Sequence, residues 1–198
     1  MIRTLRTIAA GAALAVAGAA APVAAQQAWS FTLSGTTEAP PNTSPATGSG
    51  LATLNGTILR LRTTWSGLEG TTTIAHIHCC TALPLTPPVG VATPVPTFPG
   101  FPVGVQSGSF DGSLDLSLPG SFNPAFITSS GGTVELAAAR LLDGMNRGRA
   151  YLNIHTTRYP GGEINGFAQV VPEPSTYALL GTGIAGLGMV ARRRRQRA

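Results

Sequence analysis

Large apolar residues alternate with small polar ones from Trp29 onward: Trp29, Phe31 and Leu33 share one side, with Ser30 and Thr32 on the other. This period-2 pattern predicts a strand with one wet face. A proline-broken turn region follows over 38–48, and a second strand is expected over 50–54. Asn55 and Gly56 then form the pair favoured in tight hairpin turns, leading into a third strand over 57–68. There Leu59, Leu61 and Trp65 share a face, and Arg60, Arg62 and Thr64 share the other. The stretch 71–78 is rich in β-branched residues and predicts a fourth strand. Residues 79–106 carry seven prolines in 28 positions and no sustained alternation. They read as a long functional loop, packed down by Val95, Phe98, Phe101 and Val103. Alternation resumes over 109–118, with Phe110, Leu114, Leu116 and Leu118 opposed by Asp111, Ser113, Asp115 and Ser117. Between 133 and 144 the apolar residues Val134, Ala137, Ala138, Leu141 and Leu142 recur at helical spacing. Glu135 lies in the first turn and Gly144 past the end, so a short helix is predicted.

The segment 151–167 predicts a hairpin. Leu152 and Ile154 face one way, and Tyr151, Asn153 and His155 the other. Pro160, Gly161 and Gly162 supply the reversal, and Gly166 permits a bulge or a close backbone approach in the return strand over 163–170. A fold-back centred on Tyr159 sets His155 opposite Glu163. Short strands separated by turns, with one helix, predict an all-β fold: a single β-sandwich or Greek-key barrel domain over 26–171.

Both ends read as targeting segments. Residues 1–25 combine Arg3 and Arg6, an apolar run and small residues at Val23 and Ala25. That is the pattern of a signal peptide cut after Ala25 by signal peptidase. Residues 172–198 open with Pro172, Glu173 and Pro174, continue without charge over 175–191, and end in Arg192, Arg193, Arg194 and Arg195. The uncharged run predicts a short transmembrane helix of about 25 Å with its arginines on the cytoplasmic side. The formal net charge is +5 over 198 residues, but 26–171 hold six arginines against seven acidic residues. The basic excess therefore lies in the ends, and a nucleic-acid footprint on the domain is not expected. The tail resembles the PEP-CTERM sorting signal of exopolysaccharide-producing Gram-negative bacteria. That resemblance implies an exosortase-type membrane protease as partner, transient anchoring in the inner membrane, and release or transfer to the cell surface or extracellular matrix.

The segments LSGTTEAPPNTSPATGSGLATLNG, GLEGTTTIAHIH and AYLNIHTTRYPGGEINGF resemble the start, middle and end of a CHRD domain. The resemblance implies an extracellular all-β module and carries over no catalytic residues. Exopolysaccharide or other envelope components are its expected partners, and a non-enzymatic surface or matrix role is its expected function. The chain's three histidines all lie in those segments. His76 and His78, two apart in a strand, project from one face with Cα atoms about 6.6 Å apart. With His155 they form either hydrogen-bonded parts of the sheet or a three-imidazole site for copper or zinc, in a metal-dependent binding or redox protein. Glu163 is then the expected acceptor for the His155 ring. Cys79 and Cys80 follow His78 in a chain destined for an oxidising compartment. A vicinal disulfide, two free buried thiols, or thiolates joining the metal site are the alternatives there.

Overall fold

The computed structural model describes residues 27–172 and 174–196. The signal peptide expected over 1–25 and Glu173 of the Pro-Glu-Pro motif lie outside the described residues. In chain order the elements are β1 (Gln27–Ser34), β2 (Thr47–Asn55), β3 (Ile58–Ser66), β4 (Thr72–Cys79), β5 (Gly108–Asp115), α1 (Pro124–Ser129), α2 (Val134–Asn146), β6 (Ala150–Thr156), β7 (Ile164–Phe167), β8 (Gln169–Val170) and α3 (Pro174–Arg195). The strands form one antiparallel sheet in the order β4-β6-β7-β1-β2-β3-β5, with β8 beside β1.

The sheet curls into a half-barrel, where alternation predicts two packed sheets or a closed barrel. The curl brings distant strands together. A Cβ on Gly50 of β2 would lie 3.4 Å from Leu152 on β6, three places away in the sheet. A second sheet is unnecessary because other side chains fill the concave face. Ala92, Phe98 and Phe101 of the proline-rich segment, Phe122, Phe126 of α1, and Ala137, Leu141 and Met145 of α2 join the core of Trp29, Phe31, Leu33, Leu59, Leu61 and Ile77. Burying each large apolar side chain contributes about 1.5–3 kcal/mol.

Two devices fix α2 on the sheet. Thr133 caps its first turn by accepting from the Leu136 amide, and the Trp29 indole donates to Asn146 at 3.0 Å. In the hairpin, Gly166 is the close approach that glycine permits, since a Cβ there would collide with the Thr32 main chain on β1.

The proline-rich segment runs along the free edge of β4. The amides of Ala92 and Thr93 donate to the Ile77 carbonyl, the Cys79 amide donates to Gly90, and the hydroxyls of Thr93 and Thr97 accept from the amides of Ile77 and Ala75. An exposed strand edge is thereby capped, and the segment is held against the face that carries the histidines.

Helix α3 covers the tail, but among the described residues no helix is long and apolar enough to cross a membrane. The expected span over 175–191 is therefore not found. Four glycines, Ser175, Thr176 and Thr182 dilute its hydropathy.

Candidate metal centre

Antiparallel pairing between β4 and β6 sets His76 opposite Asn153, His78 opposite Tyr151 and Ile74 opposite His155. Directly opposed residues point to the same side of a sheet. His76, His78, Tyr151, Asn153 and His155 therefore share one face, while Ala75, Ile77, Leu152 and Ile154 enter the core behind them. The three imidazole centroids stand 5.6–5.9 Å apart. One ring nitrogen from each lies within 4.8 Å of the others. Ligands at about 2.0–2.1 Å around a tetrahedral metal stand roughly 3.3 Å apart, so each ring needs to move inward by less than about 1 Å.

Each ring also has one nitrogen committed to a main-chain carbonyl. His76 Nε2 bonds to Pro96, His78 Nδ1 to Val89 at 2.7 Å and His155 Nδ1 to Pro160 at 2.9 Å. A carbonyl only accepts, so the committed nitrogen carries the proton and the other presents its lone pair. Those others, His76 Nδ1, His78 Nε2 and His155 Nε2, are buried and have no hydrogen-bond partner. Tyr151 stacks on His78 at 4.8 Å and hydrogen-bonds at Val89, which steadies the ring and the loop together.

Electrostatics favour the neutral, metal-competent form. Burial pushes His78 down to about 4, against the Val89 hydrogen bond and with help from His155 and His76. Burial also lowers His76 and His155, against their bonds to Pro96 and Pro160. The arrangement can hold one borderline cation such as Cu²⁺ or Zn²⁺ on three neutral imidazoles.

A family model for the CHRD domain matches residues 29–168, which contain every strand and histidine described above except the first two residues of β1 and the whole of β8. The chain belongs to the CHRD domain family. A second model, for the PEP-CTERM protein-sorting motif, matches residues 170–195. No curated protein and no solved structure matches the chain. A CHRD domain followed by a PEP-CTERM motif makes this an exported protein with a membrane-associated sorting step by exosortase-type machinery.

In this CHRD domain the structure brings His76, His78 and His155 together, and the pairing of Ile154 with Ile164 is the expected fold-back about Tyr159, but the Glu163 carboxylate does not bond to the His155 ring. The carboxylate faces the Thr156 side, where Oε1 accepts from the Ser44 hydroxyl and the Glu69 amide at 2.6 Å each. Oε2 accepts from the Gly70 amide at 3.2 Å and the Thr156 hydroxyl at 2.7 Å. Glu163 lies just before β7, after Gly162 with φ near +131°, so strand alternation does not carry through to it. The Pro160 carbonyl does the orienting that was expected of Glu163. Burial pushes the Glu163 carboxyl up, but the four hydrogen bonds outweigh it and hold the group below the usual carboxylate range.

Cys79 and Cys80 are joined in a vicinal disulfide. The sulfurs pack against Gly144 of α2 on the core side, away from the imidazoles, so they are not ligands. The described part of the sorting motif, Pro172, Pro174 and Arg192 to Arg195, lies past the end of the sheet, with the four arginines in the last turn of α3.

Sequence reasoning missed Glu38, Asn165 and the role of Asn153. Glu38 follows the 3-10 turn Gly35–Thr37 and is buried beside the Asn153 and Asn165 amides. Burial pushes its carboxyl up to about 7, with both amides working against the shift. One signal was available: alternation puts Asn153 on the His155 face of a strand whose other side is core.

Proposed function

We propose that this exported CHRD domain is a copper- or zinc-binding module that works at the cell surface or in the exopolysaccharide matrix, by binding and not by turnover. His76 Nδ1, His78 Nε2 and His155 Nε2 are its ligands, and the carbonyls of Pro96, Val89 and Pro160 fix their tautomers. One observation carries the reading: three buried rings each spend one nitrogen on a carbonyl and leave the other without a partner, in a cluster where one nitrogen of each ring lies within 4.8 Å of the others. An unpaired buried polar atom costs about 1–3 kcal/mol, so three at one point indicate a ligand that satisfies them together.

Titration calorimetry of the full-length protein with Cu²⁺ and Zn²⁺ tests this. The wild type is expected to take up one ion, His155→Ala to bind more than about 100-fold more weakly because it loses a direct ligand, and Glu163→Gln to retain the site because that carboxylate does not bond to the imidazoles. Equal binding by wild type and His155→Ala would overturn the proposal.

A further inference from the structure

A second group of buried polar side chains adjoins the imidazoles, and hydrogen bonding within it satisfies only part of it. Asn153 stands directly opposite His76 on one side and opposite Asn165 of β7 on the other. Opposed Cβ atoms in an antiparallel pair are about 4.5–5.5 Å apart, so these three side chains form a continuous row. Glu38 closes the group, with the Asn153 amide reaching its Oε2 at 3.5 Å. Glu38, Asn153 and Asn165 are 7%, 2% and 0% exposed. Glu38 Oε1, Asn153 Oδ1 and both amide atoms of Asn165 have no partner at full hydrogen-bond geometry, although the Asn165 amide stands close enough to Glu38 to pull its carboxyl down.

Among the described residues, eight buried side-chain polar atoms lack a partner, and seven belong to these three residues and the three histidines. Such atoms are rare in folded proteins, and their concentration in one place points to a shared occupant. Glycine keeps room for the group at Gly162, where a Cβ would strike both the Asn153 amide and Glu38 Oε2. The unpaired atoms of Glu38, Asn153 and Asn165 are three oxygens and one amide nitrogen. They suit a ligand that chiefly donates hydrogen bonds, and coordination to a cation strengthens water as a donor.

We infer that the metal keeps an open fourth position, and that its ligand there is a water molecule held by Glu38, Asn153 and Asn165. The inference rests on the metal reading above and deepens it. Structural zinc sites close on four protein ligands, whereas three protein ligands leave the fourth position to water or another exchangeable ligand.

The test is electron paramagnetic resonance of the Cu²⁺-loaded full-length protein in ¹⁷O-enriched water. The wild type is expected to show hyperfine broadening from a directly bound oxygen. Asn165→Leu and Glu38→Gln are expected to keep one copper per chain and lose that broadening. Asn165→Leu is also expected to raise the thermal midpoint of the metal-free protein by about 2–4 °C, because leucine removes unpaired buried polar atoms. A purely structural asparagine would lower it. Copper uptake without broadening in the wild type overturns this inference alone, as does undiminished broadening in both variants or a lower midpoint in Asn165→Leu. Failure to take up copper overturns the metal reading as well.

Discussion

Burial holds the three histidines neutral, and the consequences can be read from the pH dependence of the metal-free protein. His78 is pushed down to about 4 in the fold, while a solvated histidine titrates near 6.5. Between those values the unfolded chain binds more protons than the native one, so stability rises with pH across that window. Acidification from 6.5 to 4 is expected to remove on the order of 3 kcal/mol through His78, with further loss through His76 and His155. Urea titrations at several pH values check this, and a flat profile over the window would contradict it. Metal affinity should also fall in acid, but mainly towards the lowered native values and not near 6.5, because the folded rings resist protonation. Glu163 behaves as a lowered carboxylate: its contribution is present above the unfolded value near 4.5 and is lost as pH falls through the lower folded value. Glu163→Ala leaves four donors without their acceptor and is expected to cost roughly 3 kcal/mol or more in chemical denaturation. A loss below about 0.5 kcal/mol would show that the carboxylate does not tie these segments together.

At the scale of elements, the site depends on the proline-rich segment, which caps the β4 edge and supplies the Val89 and Pro96 carbonyls. Its place as a long packed-down connection was legible from the prolines and from Phe98 and Phe101, which are buried, but Val95 and Val103 are exposed instead of packed, and its docking was not legible. The edge is satisfied partly by the Thr93 and Thr97 hydroxyls, which leave no period in the sequence. Helix α1 was missed for a related reason. Six residues are too few for a 3.6-residue repeat to show, although Asn123 as cap and Pro124 in the first turn are start signals. That His76 and His78 share a face, and that His155 lies on the Tyr151 and Asn153 face of its strand, was legible because strand alternation is a sequence property, whereas the pairing of β4 with β6 that joins the two faces was not. The carbonyls that orient the rings were not, since every residue has one. Helix α2 also bears on the vicinal disulfide, because a methyl group at Gly144 would collide with both sulfurs. Gly144→Ala is therefore expected to destabilise the fold by about 1–3 kcal/mol. The difference should shrink when Cys79 and Cys80 are both replaced by alanine. A full penalty in that background would place the clash elsewhere.

For the whole molecule, the curled sheet explains how a chain with few charges encloses a polar site. Its concave face is filled by helices and the proline-rich segment, and the histidine face is closed by that segment and the Pro160–Gly162 turn. The sheet's extent was legible from alternation. Its closure was not, because a strand pattern records which side is buried and not what buries it. Beyond the sheet, the PEP-CTERM motif sets the fate of the chain. Replacing Pro172 and Pro174 by alanine is expected to leave export intact and to accumulate unprocessed chain in the membrane fraction. Mass spectrometry checks this, and a wild-type surface fraction that still carries Arg192 to Arg195 would contradict processing. The central claim, that three imidazoles from β4 and β6 hold one metal ion, is tested most directly by X-ray absorption at the zinc edge of the loaded full-length protein. The account predicts about three imidazole nitrogens at about 2.0–2.1 Å with one further light ligand and no sulfur. A sulfur shell, or a shell of oxygens without the imidazole scattering pattern, would contradict it.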